Sequence, residues 1–188
     1  MNLLVIRHAR ASSVKEFAET GADDDLRPLT EDGRERMRLG AAGLHRLVEE
    51  LDVIATSPLV RARETADIIA AEFDGPEIME LEELRPSAPP EAFVDWLQDA
   101  GAQETIAIVG HEMQLRELIG WLLTGKAEPI VKVKKGSAVM LEVRARGRRR
   151  RGPGSGTLLW SLAPRQLRML GDSTSFPQAP AHPQGTEQ

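Results

Sequence analysis

The sequence predicts an α/β fold, a three-layer α/β/α arrangement with helices on both faces of a mostly parallel central sheet. Two observations predict it. Short apolar runs rich in β-branched residues are typical of buried parallel strands, and they occur at 3–6, 53–55 and 105–109. A stretch with apolar residues at helical spacing follows each run. Such alternation of strands and helices is typical of α/β domains.

The first strand is followed by a long polar segment and then by a helix. Residues 9–30 contain the acidic run Asp23-Asp24-Asp25 and are expected to form a loop, which at that length is usually functional or mobile. Thr30 is the expected N-cap of the helix, because threonine at this position accepts a hydrogen bond from a free backbone N–H. Apolar spacing carries this helix to residue 51.

The strand at 53–55 leads directly into a second helix. Ser57 is the expected cap and Pro58 the expected first-turn residue, since proline lacks the N–H that this position leaves unpaired. Apolar spacing then continues to Phe73.

The remaining elements complete one domain at 1–170. The predicted strands are 78–79, 105–109, 138–143 and 157–162, and the predicted helices are 93–97 and 115–123. Gly125 is expected to end the second of these helices, and the last two strands are expected to pair antiparallel. Residues 171–188 are rich in Pro, Gln, Ser and Gly, which predicts a disordered tail.

Composition excludes several classes of protein. The 188 residues include no cysteine, which excludes disulfides and thiolate metal sites. The net charge of −5 gives no indication of a nucleic-acid or membrane partner. The first eight residues do not resemble a signal peptide. We therefore expect a cytoplasmic protein, a monomer or weak dimer, with no cofactor and no metal.

Three polar segments follow predicted parallel strands. Arg7 and His8 follow the first strand, Arg61 lies just beyond the second, and Gly110 and His111 end the long strand. Ligands in open α/β sheets bind beyond the carboxyl ends of the strands, so these segments are expected to converge.

The convergent residue types suit phosphoryl chemistry. Arginine binds phosphate through two parallel hydrogen bonds, and neutral histidine is a nucleophile. Arg61 in a first helical turn would add to the anion affinity of the backbone N–H groups there. Taken singly, each motif is also compatible with an ordinary turn, a capped helix or a structural histidine. Together they supply two histidines and two arginines.

These segments together resemble the histidine phosphatase superfamily, also called phosphoglycerate mutase-like. That family has Arg-His-Gly near its N-terminus, a Ser-Pro-Leu-x-Arg-Ala-x-x-Thr segment and a late Gly-His pair. Residues 7–8, 57–65 and 110–111 are similar to these motifs. Residues 25–33, Asp-Leu-Arg-Pro-Leu-Thr-Glu-Asp-Gly, resemble a segment of the SixA-type phosphohistidine phosphatases.

The resemblance implies a fold and a mechanism. It implies a phosphoglycerate mutase-like fold in which His8 becomes phosphorylated while Arg7, Arg61 and His111 bind the phosphoryl oxygens. Ala9 departs from the family's usual glycine, and we expect function to survive if its φ is negative. Glu112 follows His111 and is assigned no role.

Two further residues are candidates with open alternatives. Glu83 is a candidate proton donor for an alkoxide leaving group, or else an exposed loop charge. Arg27 either contacts substrate or anchors the loop to Asp25 or to a helix end. The segment from Arg144 to Arg151 has six arginines in eight residues, which favours a solvated hairpin loop over a polyanion site because no aromatic residue interleaves it.

Three functions are compatible with these residues. The favoured one is a phosphohistidine phosphatase acting on a phosphorylated protein, because the chain is too short to carry a large cap over its site. The second is a broad-specificity phosphatase of small phosphate esters, which Glu83 in the pocket would favour. The third is a non-catalytic phosphate-binding module, against which the presence of a nucleophile argues.

Overall fold

The structure is a computed structural model that describes residues 1–99, 103–144 and 152–172. The strands are β1 (Asn2–Arg7), β2 (Val53–Thr56), β3 (Glu77–Glu80), β4 (Thr105–Gly110), β5 (Ala138–Val143) and β6 (Gly156–Leu162). The helices are α1 (Val14–Ala18), α2 (Glu31–His45), α3 (Val60–Ala70), α4 (Pro90–Asp99), α5 (Glu112–Thr124) and α6 (Pro164–Gly171). Short 3₁₀ helices lie at Asp24–Leu26 and Glu82–Leu84.

The six strands form one sheet in the order β3-β2-β4-β1-β5-β6. The strands β1 to β4 pair in parallel, whereas β5 pairs antiparallel with both β1 and β6. The mostly parallel sheet and the antiparallel pairing of the last two strands are therefore confirmed.

Alternating side chains of β1 divide the core into two halves. Leu4 and Ile6 point into a cluster with α2, α3 and α6, while Leu3 and Val5 point into a second cluster with α4 and α5. Successive residues of a strand face opposite sides of the sheet. The continuous apolar run within β1 is therefore suited to a sheet covered on both faces, and the three-layer α/β/α prediction is confirmed.

Several predicted boundaries differ from the structure. The helix expected to reach residue 51 ends at His45, because the chain must turn back to begin β2 while Val48 and Leu51 remain buried without helical geometry. The loop predicted at 9–30 contains the short helix α1 and an isolated bridge between Ala11 and Leu29.

Two N-terminal helix caps were predicted, and the structure confirms one of them. Thr30 caps α2, with its Oγ1 accepting from the Gly33 N–H. Ser57 does not cap α3, whose N-cap is Leu59 without a side-chain bond. The reason is that Ser57 still belongs to the sheet edge: its N–H donates to the Val109 carbonyl at 2.9 Å.

The sequence patterns did not indicate helix α6, at Pro164–Gly171. Helix α6 follows β6 and packs across α2, with Leu167 fully buried. Residues 173–188 of the predicted tail, and 145–151 of the arginine-rich segment, lie outside the described residues. Within the described residues, no helix is long and apolar enough to cross a membrane.

Candidate active site

The carboxyl ends of β1, β2 and β4 meet at one point of the sheet. The His8 N–H donates to the Gly110 carbonyl at 3.1 Å, which holds the residue after β1 against the end of β4. Ser57, just after β2, is bonded to the same strand. The rings of His8 and His111 consequently lie 5.2 Å apart between centroids, at an angle of 55°.

His8 has one ring nitrogen engaged by the backbone. Its Nδ1 lies 2.7 Å from the Ala9 carbonyl oxygen, and the side chain is buried, with 5% of the residue exposed. Because a carbonyl oxygen can only accept a hydrogen bond, we assign the proton of the neutral ring to Nδ1. The lone pair of Nε2 is then available to a reacting atom.

Ala9 fits its position in place of the family's glycine. Its φ is not in the left-handed region, so its Cβ introduces no backbone strain. Its N–H donates to Thr65 Oγ1 at 3.0 Å, and the Thr65 hydroxyl donates in turn to the Arg61 carbonyl at 2.7 Å. Thr65 thereby joins the backbone beside His8 to the helix that carries Arg61.

His111 is held by the residue that was expected to cap α3. Its Nε2 lies 2.9 Å from Ser57 Oγ, and that oxygen also accepts from the Leu59 N–H at 3.4 Å. His111 itself is the N-cap of α5, with no side-chain bond to the helix. Its ring is therefore oriented across the strand ends toward β2 and not back onto its own helix.

Both histidines are held in the neutral form. Burial lowers the pKa of His8 to about 3, and the positive charges of Arg61 and Arg7 and the proximity of His111 act in the same direction. Burial and the same two arginines lower the pKa of His111 to about 3. Buried imidazoles among guanidinium groups disfavour a further positive charge. His8 is thus unprotonated at Nε2 at neutral pH.

Arg7 lies between the backbone and a carboxylate. Its guanidinium donates to the Val133 carbonyl at 2.9 Å and pairs with Glu112 at 2.7 Å. Burial lowers the pKa of Arg7, and Glu112 opposes that shift. Glu112, to which the sequence assigned no role, is therefore the counter-ion of Arg7.

Asp24 forms ion pairs with both Arg61 and Arg27. Arg61 donates to the Asp24 carbonyl at 2.9 Å and pairs with its carboxylate at 3.2 Å, while Arg27 Nε pairs with the same carboxylate at 2.7 Å. The hydrogen bond from Arg27 is the largest influence that lowers the pKa of Asp24. Arg27 also donates to the Ser12 carbonyl at 2.9 Å, so it anchors the loop. Its carboxylate partner is Asp24 and not Asp25, which the sequence had offered.

These side chains line an open cavity of about 750 Å³. Its lining includes the five residues that the sequence predicted as the nucleophile or as groups that contact the phosphoryl oxygens or the substrate: Arg7, His8, Arg27, Arg61 and His111. Lys135 and Arg10 extend the positive lining at the mouth. Partial desolvation and the charges of the surrounding arginines lower the pKa of Lys135.

Glu83 lies apart from this group. It sits half-buried in the second 3₁₀ helix, where its main-chain carbonyl accepts from Gln114 at 3.0 Å, and it is not among the residues that line the cavity. The cavity-lining carboxylates of the described chain are Glu16 and Glu112. The role of Glu83 as a proton donor stays a prediction.

Sequence reasoning missed the residues that hold the site together. Ser57 and Thr65 both belong to the recognised motif, so the spacing of that motif carried a signal for their roles. Glu112 carried no such signal, because its approach to Arg7 depends on how the start of α5 folds. Among the described residues, no group of three or more His, Asp or Glu side chains is arranged to hold a metal ion.

Comparison with known proteins agrees with the geometry. A family model described as the histidine phosphatase superfamily (branch 1) matches residues 3–86. An uncharacterized protein of Picosynechococcus is 34% identical over 143 residues, which are 75% of this chain and 84% of that protein. The chain belongs to the histidine phosphatase superfamily. It is accordingly a phosphatase, which disfavours the non-catalytic alternative.

Histidine phosphatases of similar size share the whole architecture. The phosphohistidine phosphatase SixA of Escherichia coli K12 is 26% identical over 173 residues, 90% of this chain and 98% of that protein. A structure of SixA complexed with tungstate has a TM-score of 0.73 at 23% identity, covering 89% of this chain and 99% of that one. An alpha-ribazole phosphatase from Shigella flexneri has a TM-score of 0.65 at 20% identity, covering 87% and 97%. The phosphoglycerate mutase-like fold is confirmed.

Proposed function

We propose that this histidine phosphatase removes phosphoryl groups from phosphohistidine, through a covalent intermediate on His8. His8 Nε2 attacks phosphorus, forming an N–P bond as the bond from phosphorus to the substrate imidazole breaks. A substrate imidazole protonated on its other nitrogen leaves as a neutral ring. Water then attacks the phosphorylated His8, releasing inorganic phosphate and restoring the free imidazole.

The remaining site residues have distinct proposed roles. Arg7, Arg61 and His111 bind the phosphoryl oxygens, over which negative charge spreads in the transition state. Because these groups are already fixed by Glu112, Asp24 and Ser57, little reorganisation accompanies the reaction. Arg27 is placed to assist from the cavity wall while it anchors the loop.

The observation that carries the choice of phosphohistidine is the state of the carboxylates in the cavity. An alkoxide leaving group needs a general acid, whereas a protonated imidazole does not. Glu112 is engaged by Arg7, and Glu16 is exposed on α1. Neither stands as a buried acid beside His8, and Glu83 lies outside the lining. The similarity to SixA supports the same substrate class.

A second candidate function is hydrolysis of small phosphate esters. The cavity volume of about 750 Å³ supports it, since this volume lies within the range of small-molecule sites. The candidate requires a proton donor, and Glu83 is the residue offered for that role.

The test compares phosphate release from a phosphohistidine-bearing protein with release from an aryl and an alkyl phosphate. We expect the phosphohistidine substrate to be hydrolysed faster, with activity lost in His8→Ala and kept in His45→Gln, whose residue contacts Phe73 outside the cavity. Faster alkyl ester hydrolysis that falls in Glu83→Gln would instead establish the second candidate.

A further inference from the structure

A second cavity of about 250 Å³ adjoins the catalytic one. It lies between α2, the start of α6 and the turn at Gly136, and its apolar lining includes Met37 and Pro164. Arg10 and Lys135 line both cavities. Ala9, the residue after the nucleophile, also lines the second cavity. A group held there would therefore be close to a phosphoryl group at His8.

The second cavity has a strongly positive lining. Four cationic side chains face it, and their residues are Arg10, Arg36, Lys135 and Arg168. Asp32 offsets part of this charge by pairing with Arg36 at 2.6 Å and with Arg10 at 3.4 Å. Neither Lys135 nor Arg168 makes an ion pair with any residue in the described part of the chain.

The fold gathers four like charges at this cavity, and Asp32 offsets only part of them. Exposed like charges repel one another, and α6 also directs its N-terminal end, with its partial positive charge, at this cavity through Pro164. The proposed phosphoryl transfer uses none of Arg36, Arg168 and Met37. A cationic cavity with an apolar wall suits an anionic group carried on a short aliphatic stem.

We propose that this second cavity is a subsite for an acidic side chain of the substrate protein, close to its phosphohistidine. The proposal rests on the proposed function, because it assumes that a protein brings the phosphoryl group to His8. The carboxylate would contact Arg168 and Lys135 while its methylene groups contact Met37. The shared wall formed by Arg10 and Lys135 would let one substrate occupy both cavities.

The first test uses peptides that carry a non-hydrolysable phosphohistidine analogue, with glutamate or glutamine at each neighbouring position in turn. We expect the wild-type chain to bind the best glutamate peptide about fivefold more tightly than its glutamine counterpart. In Arg36→Gln/Arg168→Gln the ratio should fall to about one, while the affinity for the glutamine peptide stays within about twofold.

The matched control is Arg38→Gln/Arg165→Gln, which removes two charges from the same two helices outside the cavity. We expect this control to keep the preference for glutamate. A preference that persists in Arg36→Gln/Arg168→Gln, or that is lost equally in both double variants, would overturn the proposal.

A second test separates this subsite from the proposed function. Hydrolysis of an aryl phosphate is inhibited with alkylphosphonates and with phosphonocarboxylates of matched chain length. Tighter inhibition by a phosphonocarboxylate, lost only in Arg36→Gln/Arg168→Gln, would support an anion subsite even if phosphohistidine peptides are not substrates. A different result would overturn the subsite and leave the proposed phosphatase function standing. In that result phosphohistidine peptides are hydrolysed, but neither the peptides nor the phosphonates show a preference for a carboxylate.

Discussion

At the scale of single residues, one carbonyl oxygen orients the ring of His8, the proposed nucleophile. The Ala9 carbonyl accepts from Nδ1, which directs the lone pair of Nε2 away from the backbone. Burial and neighbouring arginines then keep the ring unprotonated. A nucleophile needs both conditions, because a protonated imidazole has no lone pair to donate.

The pKa values of the two site histidines can be measured directly. We expect the imidazole signals of His8 and His111 to remain those of neutral rings below pH 6.5 for as long as the chain stays folded, because burial penalises their charged forms. The measurement is a ¹H–¹⁵N NMR titration, with signals assigned from His8→Ala and His111→Ala. Titration of either ring near its ordinary value of 6.5 would contradict the described electrostatics.

Glu112 should weaken the binding of inorganic phosphate. Its carboxylate repels a phosphate dianion, whereas the Val133 carbonyl would still hold Arg7 in place without it. We expect Glu112→Gln to lower the inhibition constant of phosphate about fivefold. Glu117→Gln, on the same helix but outside the cavity lining, should leave it unchanged. A raised constant would mean that Glu112 is needed to position Arg7.

The sequence was sufficient to predict which residues are proposed to contact phosphate. It was not sufficient to predict the side chains that hold those residues in place. His8, Arg61 and His111 follow strands whose carboxyl ends converge, so their meeting could be predicted from topology. The pairing of Glu112 with Arg7 depends on a side-chain direction at the start of α5. A motif of fixed spacing contains no information on that direction.

At the scale of elements, α2 and α6 approach each other through glycines. A Cβ added to Gly43 would lie 2.0 Å from the Leu167 carbonyl oxygen, and one added to Gly171 would lie 1.9 Å from the Leu39 carbonyl oxygen. Such contacts force the backbones apart. This contact could not be predicted from the sequence, because a glycine within a helix indicates only low helix propensity until the helix that packs against it is known.

Two glycines of α2 provide a matched pair of variants. Gly43→Ala should lower the free energy of unfolding by about 2–3 kcal/mol, because the methyl group meets backbone atoms of α6. Gly40→Ala meets only the end of Met37 at 3.9 Å and should raise it by up to about 1 kcal/mol through helix propensity. Urea unfolding checks both, and equal effects would contradict the described packing.

At the scale of the whole molecule, the site concentrates positive charge and buried histidines at one edge of the sheet. Both histidines are neutral when folded but have the ordinary pKa of 6.5 when unfolded. Between pH 6.5 and about 3 the unfolded chain therefore binds more protons. Their contribution to stability is present above pH 6.5 and is lost as the pH falls toward 3.

This linkage predicts a specific acid sensitivity. As the pH falls through that interval, each histidine should lower the free energy of unfolding by up to about 1.4 kcal/mol per pH unit. Urea unfolding at about pH 7 and about pH 4 should show a smaller loss in His8→Ala/His111→Ala than in the wild type. An identical loss in the double variant would contradict the neutral state of these rings.

The proposed function requires the phosphoryl group to pass through His8. The most direct test is a rapid alkaline quench of the enzyme with ³²P-labelled phosphohistidine substrate, followed by mapping of the label. We predict an alkali-stable, acid-labile label on His8 in the wild type and in His45→Gln, and none in His8→Ala. Turnover without any labelled enzyme, or a label that persists in His8→Ala, would contradict the account.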